Sequence, residues 1–362
     1  MIAAGGCGSS GDNSNKTATE AAAKPASDSA TDKATLWFTA GEQFHPVERE
    51  IPKAGSAASG AVEALLAGPS AAEGAADAEL TTQIPAGTTL DKLTVGGGTA
   101  TVRVSPSFLD GIETDPAARD RAQNNVLAAR LAQVTYTATQ FADIKAARVI
   151  AGGTLVNAAV SRADYAEPTA KPAAISKPKG PKLPGTRQVQ TKLAKLGYLP
   201  KNAVDGRAGY QTQQAVIAFQ AWNGLGRDGV VGPATSAALK TATRPRPQAG
   251  GAAKRIEVYR DKGVALLIDG GRLVRAIHVS SGGPATPTPS GTYKVFRKEL
   301  NSWSVPFSSW LPFASYFNNG IAFHEYADVP AYPASHGCVR VPAPEAKYVY
   351  DFAAVGTAIV VI

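Results

Sequence analysis

The chain has 362 residues, 44% hydrophobic, with 36 Gly, 25 Pro and a net charge of +8; this suits two or three small modules on connectors rather than one large core. No stretch approaches the roughly 20 apolar residues of a membrane-spanning helix, and two cysteines, Cys7 and Cys338, cannot form a disulfide framework. Residues 1–167 carry 13 Lys/Arg against 19 Asp/Glu, residues 168–252 carry 13 against 2, and residues 253–362 carry 11 against 8. The basic middle has no zinc-finger spacing and no aromatic-rich platform, so nucleic acid is not expected as a partner. Attraction to an anionic polymer or headgroup surface and a merely solvated lysine-rich linker account for it equally simply.

Residues 8–33 are mostly Gly, Ser, Asn, Thr, Ala, Lys and Asp with hardly a large apolar side chain. Such a segment buries too little surface to offset its ordering entropy, and residues 1–33 are expected to be a disordered tether. At its start, Ala4-Gly5-Gly6-Cys7 resembles the end of a lipobox, in which the cysteine becomes lipid-modified and N-terminal. That resemblance implies a membrane lipid anchor through Cys7. Two departures stand beside it: a leucine is usual where Ala4 stands, and six preceding residues cannot hold a charged region and an apolar stretch. The expectation is a start codon further upstream or a truncated chain.

From 34 to 165 strand and helix patterns alternate. Leu36-Trp37-Phe38-Thr39 reads as a strand, and Ala61-Val62-Glu63-Ala64-Leu65-Leu66 as a helix stopped by Gly68-Pro69. Residues 93–95, 98–104 and 147–150 read as strands, and 116–140 as a long helix. His45, beside Pro46, reads as a surface-loop histidine. Leu65-Leu66-Ala67-Gly68-Pro69, Ile84-Pro85-Ala86-Gly87-Thr88, Val102-Arg103-Val104-Ser105 with Phe108, and Val149-Ile150-Ala151-Gly152-Gly153 resemble the GerMN domain of sporulation and germination proteins. The resemblance implies binding or assembly and names no ligand.

Residues 166–184 contain Pro168, Pro172, Pro178, Pro181 and Pro184 with four lysines between them, a semi-rigid spacer. An internal repeat follows. Asp205-Gly206-Arg207-Ala208-Gly209-Tyr210-Gln211-Thr212 and Asp228-Gly229-Val230-Val231-Gly232-Pro233-Ala234-Thr235 share D-G-x-x-G-x-x-T. Each Asp-Gly is expected to make a tight turn and each Thr to cap a helix. A preceding helix offers Val189, Leu193 and Leu196 and ends at Gly197. With Ala215, Val216, Phe219 and Gln220, this three-helix pattern over 185–241 resembles the common peptidoglycan-binding module. One departure is Ala208-Gly209, where an aromatic usually precedes the glycine.

After a linker at 242–252, residues 253–362 read mainly as strands: 256–259, 265–268, 273–279, 293–296 and 358–361. The chemistry sits in Ser335-His336-Gly337-Cys338-Val339-Arg340, with His324 fourteen residues before the cysteine. Two of the chain's four histidines thus sit in one short stretch beside one of its two cysteines. A thiol with a pKa of about 8.5 needs such a base to act as a nucleophile near neutral pH. Gly337 lets the backbone approach a carbonyl closely, where its amide and that of Cys338 would face an oxyanion. A metal would want further ligands, and His45 and His278 lie far off; no metal and no cofactor are expected.

The ordered set Ser280-Ser281-Gly282-Gly283, Thr286-Pro287-Thr288-Pro289-Ser290-Gly291-Thr292-Tyr293, Asn319-Gly320-Ile321-Ala322-Phe323-His324 and Ser335 to Arg340 closely resembles the YkuD-type L,D-transpeptidase catalytic domain. The resemblance implies Cys338 as nucleophile, His324 as proton acceptor and donor, and His336 as a support. It implies the Gly337 backbone at the oxyanion, and Arg340, Ser335 and Tyr316 at the substrate. Trp303, Trp310, Phe313, Tyr316 and Phe317 are either a lid or a plain cluster. The whole then reads as a multidomain α+β wall enzyme: a GerMN-like α/β domain, a three-helix peptidoglycan-binding module and a mainly-β catalytic domain. Its expected partners are peptidoglycan stem peptides and glycan and anionic wall polymers, at the cell envelope. The expected reaction is cross-linking by cysteine acyl transfer. An L,D-carboxypeptidase using water as acceptor, or a non-enzymatic wall-binding scaffold, are the alternatives.

Overall fold

The computed structural model describes residues 31–53 and 55–362; Cys7 and residues 8–30 of the expected tether lie outside them. The first element is a long antiparallel hairpin, β1 (Thr31–Ala40) and β2 (Gln43–Pro52), paired from Thr31↔Pro52 to Ala40↔Gln43. Residues 31–33, assigned to the tether, therefore belong to a strand: their backbone runs in register with Pro52, Ile51 and Glu50. His45 is likewise on β2 rather than in a loop, opposite Phe38, with Nδ1 3.3 Å from Asp77. The strands meet at the two-residue turn Gly41-Glu42, where Gly41 has φ +58°, the left-handed region such turns require.

The rest of this domain adds α1 (Ala57–Leu66), α2 (Ala71–Ala76), β3 (Leu90–Gly96), β4 (Thr99–Val104), α3 (Arg121–Ala138), β5 (Ala146–Ala151) and β6 (Thr154–Leu155). The sheet order is β3-β4-β5-β6, and the parallel β4–β5 pair is joined through α3. α3 starts five residues later than its pattern suggests because Asp120 caps it: its side chain accepts from the Gln123 amide and Gln123 returns to the Asp120 amide. Leu36, Phe38, Val62, Leu65, Val102, Phe108 and Val149 form the buried centre.

The middle module is α4 (Thr186–Leu196), α5 (Tyr210–Trp222) and α6 (Pro233–Thr241). Thr212 and Thr235 do not cap; Gly209 and Gly232 occupy those positions, and the threonines lie one turn inside. Each instead accepts from a buried glutamine. Gln190 Nε2 donates to Asp205, Arg207 O and Thr212, while its Oε1 accepts from the Gly206 amide. Gln220 repeats the pattern on Asp228, Val230 O, Thr235 and Gly229. The repeat thus encodes two copies of one polar brace for an Asp-Gly turn.

The C-terminal domain has two sheets. β7 (Arg255–Tyr259), β8 (Val264–Asp269), β9 (Arg272–His278), β10 (Gly291–Lys294) and, later in the chain, β15 (Ala358–Val361) form one, ordered β10-β15-β7-β8-β9. β11 (Arg297–Ser304), β12 (Ser309–Asn318), β13 (Ile321–Tyr326) and β14 (Val339–Pro342) form the other in sequence order, and α7 (Ala343–Phe352) packs beside it. β8 reads Val-Ala-Leu-Leu-Ile because it is covered on both faces. Ala265 and Leu267 face the catalytic core, while Val264, Leu266 and Ile268 join Leu193, Phe219 and Leu239 of the helices.

Candidate functional site

β13 and β14 run parallel, with Phe323 opposite Val339 and His324 opposite Arg340. Alternate residues share a face, so Ala322 and His324 on one strand meet Cys338 and Arg340 on the other. The motif is brought together by this register. Cys338 has 0% exposure and is a free cysteine. Its Sγ accepts from the Ala322 amide at 3.2 Å and lies 3.6 Å from Gly320 O. His324 Nδ1 donates to Glu325 O at 2.8 Å, which fixes the tautomer and leaves Nε2, buried and without a hydrogen-bond partner, as the basic nitrogen.

A third group, missed in the sequence, completes the cluster. Glu42, from the β1–β2 turn of the N-terminal domain, places a carboxylate oxygen so that it, a His324 ring nitrogen and Cys338 Sγ all lie within 4.8 Å of one another. Its Oε1 is 3.5 Å from His336 Nδ1. The His336 ring stacks on Phe307, centroids 4.3 Å apart. Only the Gly-Glu pair between two strand-like runs hinted at a turn; nothing local tied it to a cysteine almost three hundred residues away.

Electrostatics follow from this enclosure. Burial, then the Glu42 charge, push the Cys338 thiol well above its ordinary value. Burial lowers His324 from 6.5 to about 4, with Arg340 working the same way and Glu42 against it. For Glu42 burial works upward, but the hydrogen bond and charge of His336, with His324 and Arg340, hold its carboxyl below the ordinary 4.5. In this arrangement thiol and imidazole are both neutral at pH 7.

Other expected site residues are placed differently. Ser335 is buried; its Oγ donates to Cys338 O and accepts from the Gly337 amide at 3.1 Å. It braces the loop rather than facing a substrate. The Gly337 amide is thereby committed to Ser335 instead of an oxyanion, and Gly337 O accepts from Thr288 Oγ1 at 2.7 Å. Gly337 has φ +116°, a conformation glycine alone adopts readily. Tyr316 has 0% exposure and packs beneath Cys338, its hydroxyl 2.8 Å from Ser302 Oγ. Arg340 does border open space: its Nη1 donates to Ala334 O at 2.8 Å and its guanidinium lies 4.1 Å over Tyr326, while Nε is buried without a partner. His278 is bonded through Nδ1 to Gln214 of α5 at 2.6 Å.

Two clefts are bordered by residues of this cluster and of the turn that enters it. One of about 400 Å³ is bordered by His324, His336, Arg340, Trp303, Trp310 and Ile175 of the linker. The other, about 150 Å³, lies among Gly41, Glu79, Thr286, Pro287 and Ile321. Of the five aromatics before the site, only Trp303 and Trp310 border the larger cleft. Tyr316 and Phe317 are core, and Phe313 packs on Tyr350.

Three regions of the chain are similar to known protein families. Residues 253–362 match the model of the YkuD L,D-transpeptidase catalytic domain. Through this C-terminal domain, the chain belongs to the L,D-transpeptidase family. Residues 182–239 match a putative peptidoglycan binding domain, and residues 32–157 the Germane domain of sporulation and spore germination. A crystallised L,D-transpeptidase of Xylanimonas cellulosilytica DSM 15894 is 35% identical, covering 53% of this chain and 100% of that one, with a TM-score of 0.46. One from Stackebrandtia nassauensis is 25% identical over 54% of this chain and 97% of that one, TM-score 0.34. A probable N-acetylmuramoyl-L-alanine amidase of Bacillus licheniformis is 44% identical over 75 residues, 19% of this chain and 21% of that protein. The chain spans about a fifth of the length of the curated relatives it matches. Among the described residues, no helix of this chain is long and apolar enough to cross a membrane.

Proposed function

We propose that this chain is an exported L,D-transpeptidase that forms peptidoglycan cross-links by acyl transfer through Cys338. The observation that carries the reading is the juxtaposition of Cys338 Sγ with a His324 ring nitrogen inside 4.8 Å, on strands whose register presents both to one face. His324 Nε2 takes the thiol proton, and the sulfur attacks the stem-peptide carbonyl that precedes the terminal D-alanine. The carbon–nitrogen bond then breaks; the leaving amine takes the proton back from His324, and a thioester remains. The side-chain amine of a second stem attacks that thioester, loses a proton to His324 and restores the thiol. The Ala322 amide favours the thiolate at each stage. Arg340, on the cleft wall, is the cation for a donor carboxylate.

The helical module supplies the wall-binding surface. An apolar groove of about 760 Å³ runs between linker and helices past Leu183, Val189, Val216 and Val230; Leu183 and Val230 are more than half exposed. It is the place for a glycan or stem peptide, with the basic middle segment adding attraction to anionic wall polymers. A lipid on Cys7 would hold the enzyme at the outer face of the membrane.

The test is mass spectrometry of stem tetrapeptides incubated with the full chain and with Cys338→Ala. Cross-linked dimers from the parent alone support the reading. Tripeptides without dimers would make it a carboxypeptidase, and turnover by the alanine variant would remove cysteine chemistry altogether.

A further inference from the structure

The cleft beside Trp303 and Trp310 reaches His324 and His336 but stops short of the sulfur, which has no exposed surface. What covers it is the β1–β2 turn. Gly41 is a wall of the smaller cleft and Glu42 a wall of the larger, so the turn borders both openings, and Cys338 lines neither.

The fit joins backbone and side chains of both domains. The Glu42 amide donates to Gly320 O at 3.3 Å, and Ser304 Oγ donates to Glu42 O. Gln43 Nε2 reaches the Tyr316 hydroxyl at 3.2 Å. Glycines line the contact on both sides. A Cβ on Gly41 would stand 2.7 Å from Gly320 O, and one on Gly337 would be 3.5 Å from Gly41 Cα. A Cβ on Gly320 would lie 2.0 Å from Ala40 O, and its nearest atoms all belong to Ala40 or Gln43. Nothing in the catalytic domain itself crowds that position most closely. Its missing side chain is explained by the visiting turn.

We propose that the Gly41-Glu42 turn is a removable stopper, an intramolecular occupant of the catalytic cleft that seals Cys338 until the N-terminal domain lifts away. Lifting it joins the two clefts across the sulfur. An acyl transfer needs that: the donor must reach the thiol, and the acceptor must then reach the thioester. The same movement takes the Glu42 charge away and lets water reach the site, relieving both causes that keep the thiol protonated. The contact suits a reversible role, since its hydrogen-bonding groups can all be re-bonded by water. The N-terminal domain thereby acts as a guard, and a ligand that pulls on it turns the enzyme on.

The inference rests on the proposed chemistry only for its effect on turnover, so its test reads the thiol directly. In a Cys7→Ser background Cys338 is the single thiol, and intact mass follows its alkylation by iodoacetamide. Gly320→Ala, whose added methyl meets Ala40 and Gln43 first, is expected to raise the alkylation rate by roughly tenfold or more by populating the open form. Ser304→Ala, which removes one bond to Glu42, raises it by a few-fold and decides the matter should the glycine variant fail to fold. Alkylation at the parent rate in the folded variants overturns the stopper. If alkylation accelerates but stem peptides are still not joined, the stopper stands and the proposed reaction fails.

Discussion

The catalytic domain meets its two neighbours in different ways. Against the helical module it presents Tyr259, Val264, Leu266, Ile268 and Ala276, which merge with Leu193, Leu196, Phe219 and Leu239 into one continuous core. Against the N-terminal domain, at the cysteine, it presents backbone: Gly320 to Gly41 and Glu42, with Ser304, Tyr316 and His336 adding polar contacts. Apolar burial has no substitute in water, so the first junction separates only at the cost of exposing core. Polar junctions exchange their bonds for water at small net cost. The helices are therefore part of the catalytic fold, whereas the N-terminal turn is a visitor.

The largest effect is expected on the visitor's side. His324→Ala removes the proposed base and should lower kcat/KM by roughly 10²- to 10⁴-fold. His336→Ala loses its stack on Phe307 and its partner Glu42, and should act through geometry, with a smaller rate loss and a lower Tm. Equal rate losses with unchanged Tm in both variants would mean the roles are wrongly assigned.

The permanent junction breaks in stability rather than rate. Phe219 is fully buried, and Phe219→Ala should cost about 3–5 kcal/mol in urea unfolding of the full chain. Gly320→Ala, by contrast, should leave unfolding of the C-terminal half nearly unchanged. Should the two variants lose similar stability, the distinction between the junctions collapses.

Each junction also holds one buried neutral histidine, and acid separates them. Burial lowers both His278 and His324 to about 4, helped by Arg227 and Arg340 respectively. Above pH 6.5 each is neutral folded or unfolded and contributes nothing. As pH falls from about 6.5 to 4, the unfolded chain binds protons that the folded one refuses, so stability declines by up to about 3 kcal/mol per histidine. His278 has no escape from its site between β9 and α5. His324 regains water once the turn lifts. Urea unfolding at pH 7 and pH 4.5 should therefore show that His278→Gln removes part of the decline and that Gly320→Ala removes a different part. Identical acid sensitivity in parent and both variants would contradict the assignment.

How much of this was legible depended on the range of the interaction. Ser335 to Cys338 and His324 stood out because they happen to lie within one short stretch of sequence, and the register of two adjacent strands joins them in space. β8 announced itself as an unbroken apolar run because it is sandwiched. β11 and β12 did not: their polar and aromatic residues follow no strict alternation, and Trp303 and Trp310 read equally well as a lid. Spacing alone suggests caps for Thr212 and Thr235; their partners, Gln190 and Gln220, each lie on the preceding helix. Glu42 was illegible because a two-residue turn carries no mark of the distant cleft it enters.

The smallest effect concerns the loop that holds the cysteine. Ser335 Oγ bonds both Cys338 O and the Gly337 amide, and Ser335→Ala leaves two buried backbone groups unsatisfied, at about 1–3 kcal/mol. The loop keeps other ties: Thr288 to Gly337 O, Gly283 N to Ser335 O and the Ser281 carbonyl to the Ser335 amide. The loss should therefore stay local. Hydrogen exchange of the Gly337 amide should quicken by roughly ten- to a hundredfold while the helical module keeps its protection. Combined with Gly320→Ala, the effect should grow, because the visiting turn packs against Gly337 from outside. Strictly additive effects would show that the turn gives the loop no support, leaving it a cover over the sulfur and nothing more.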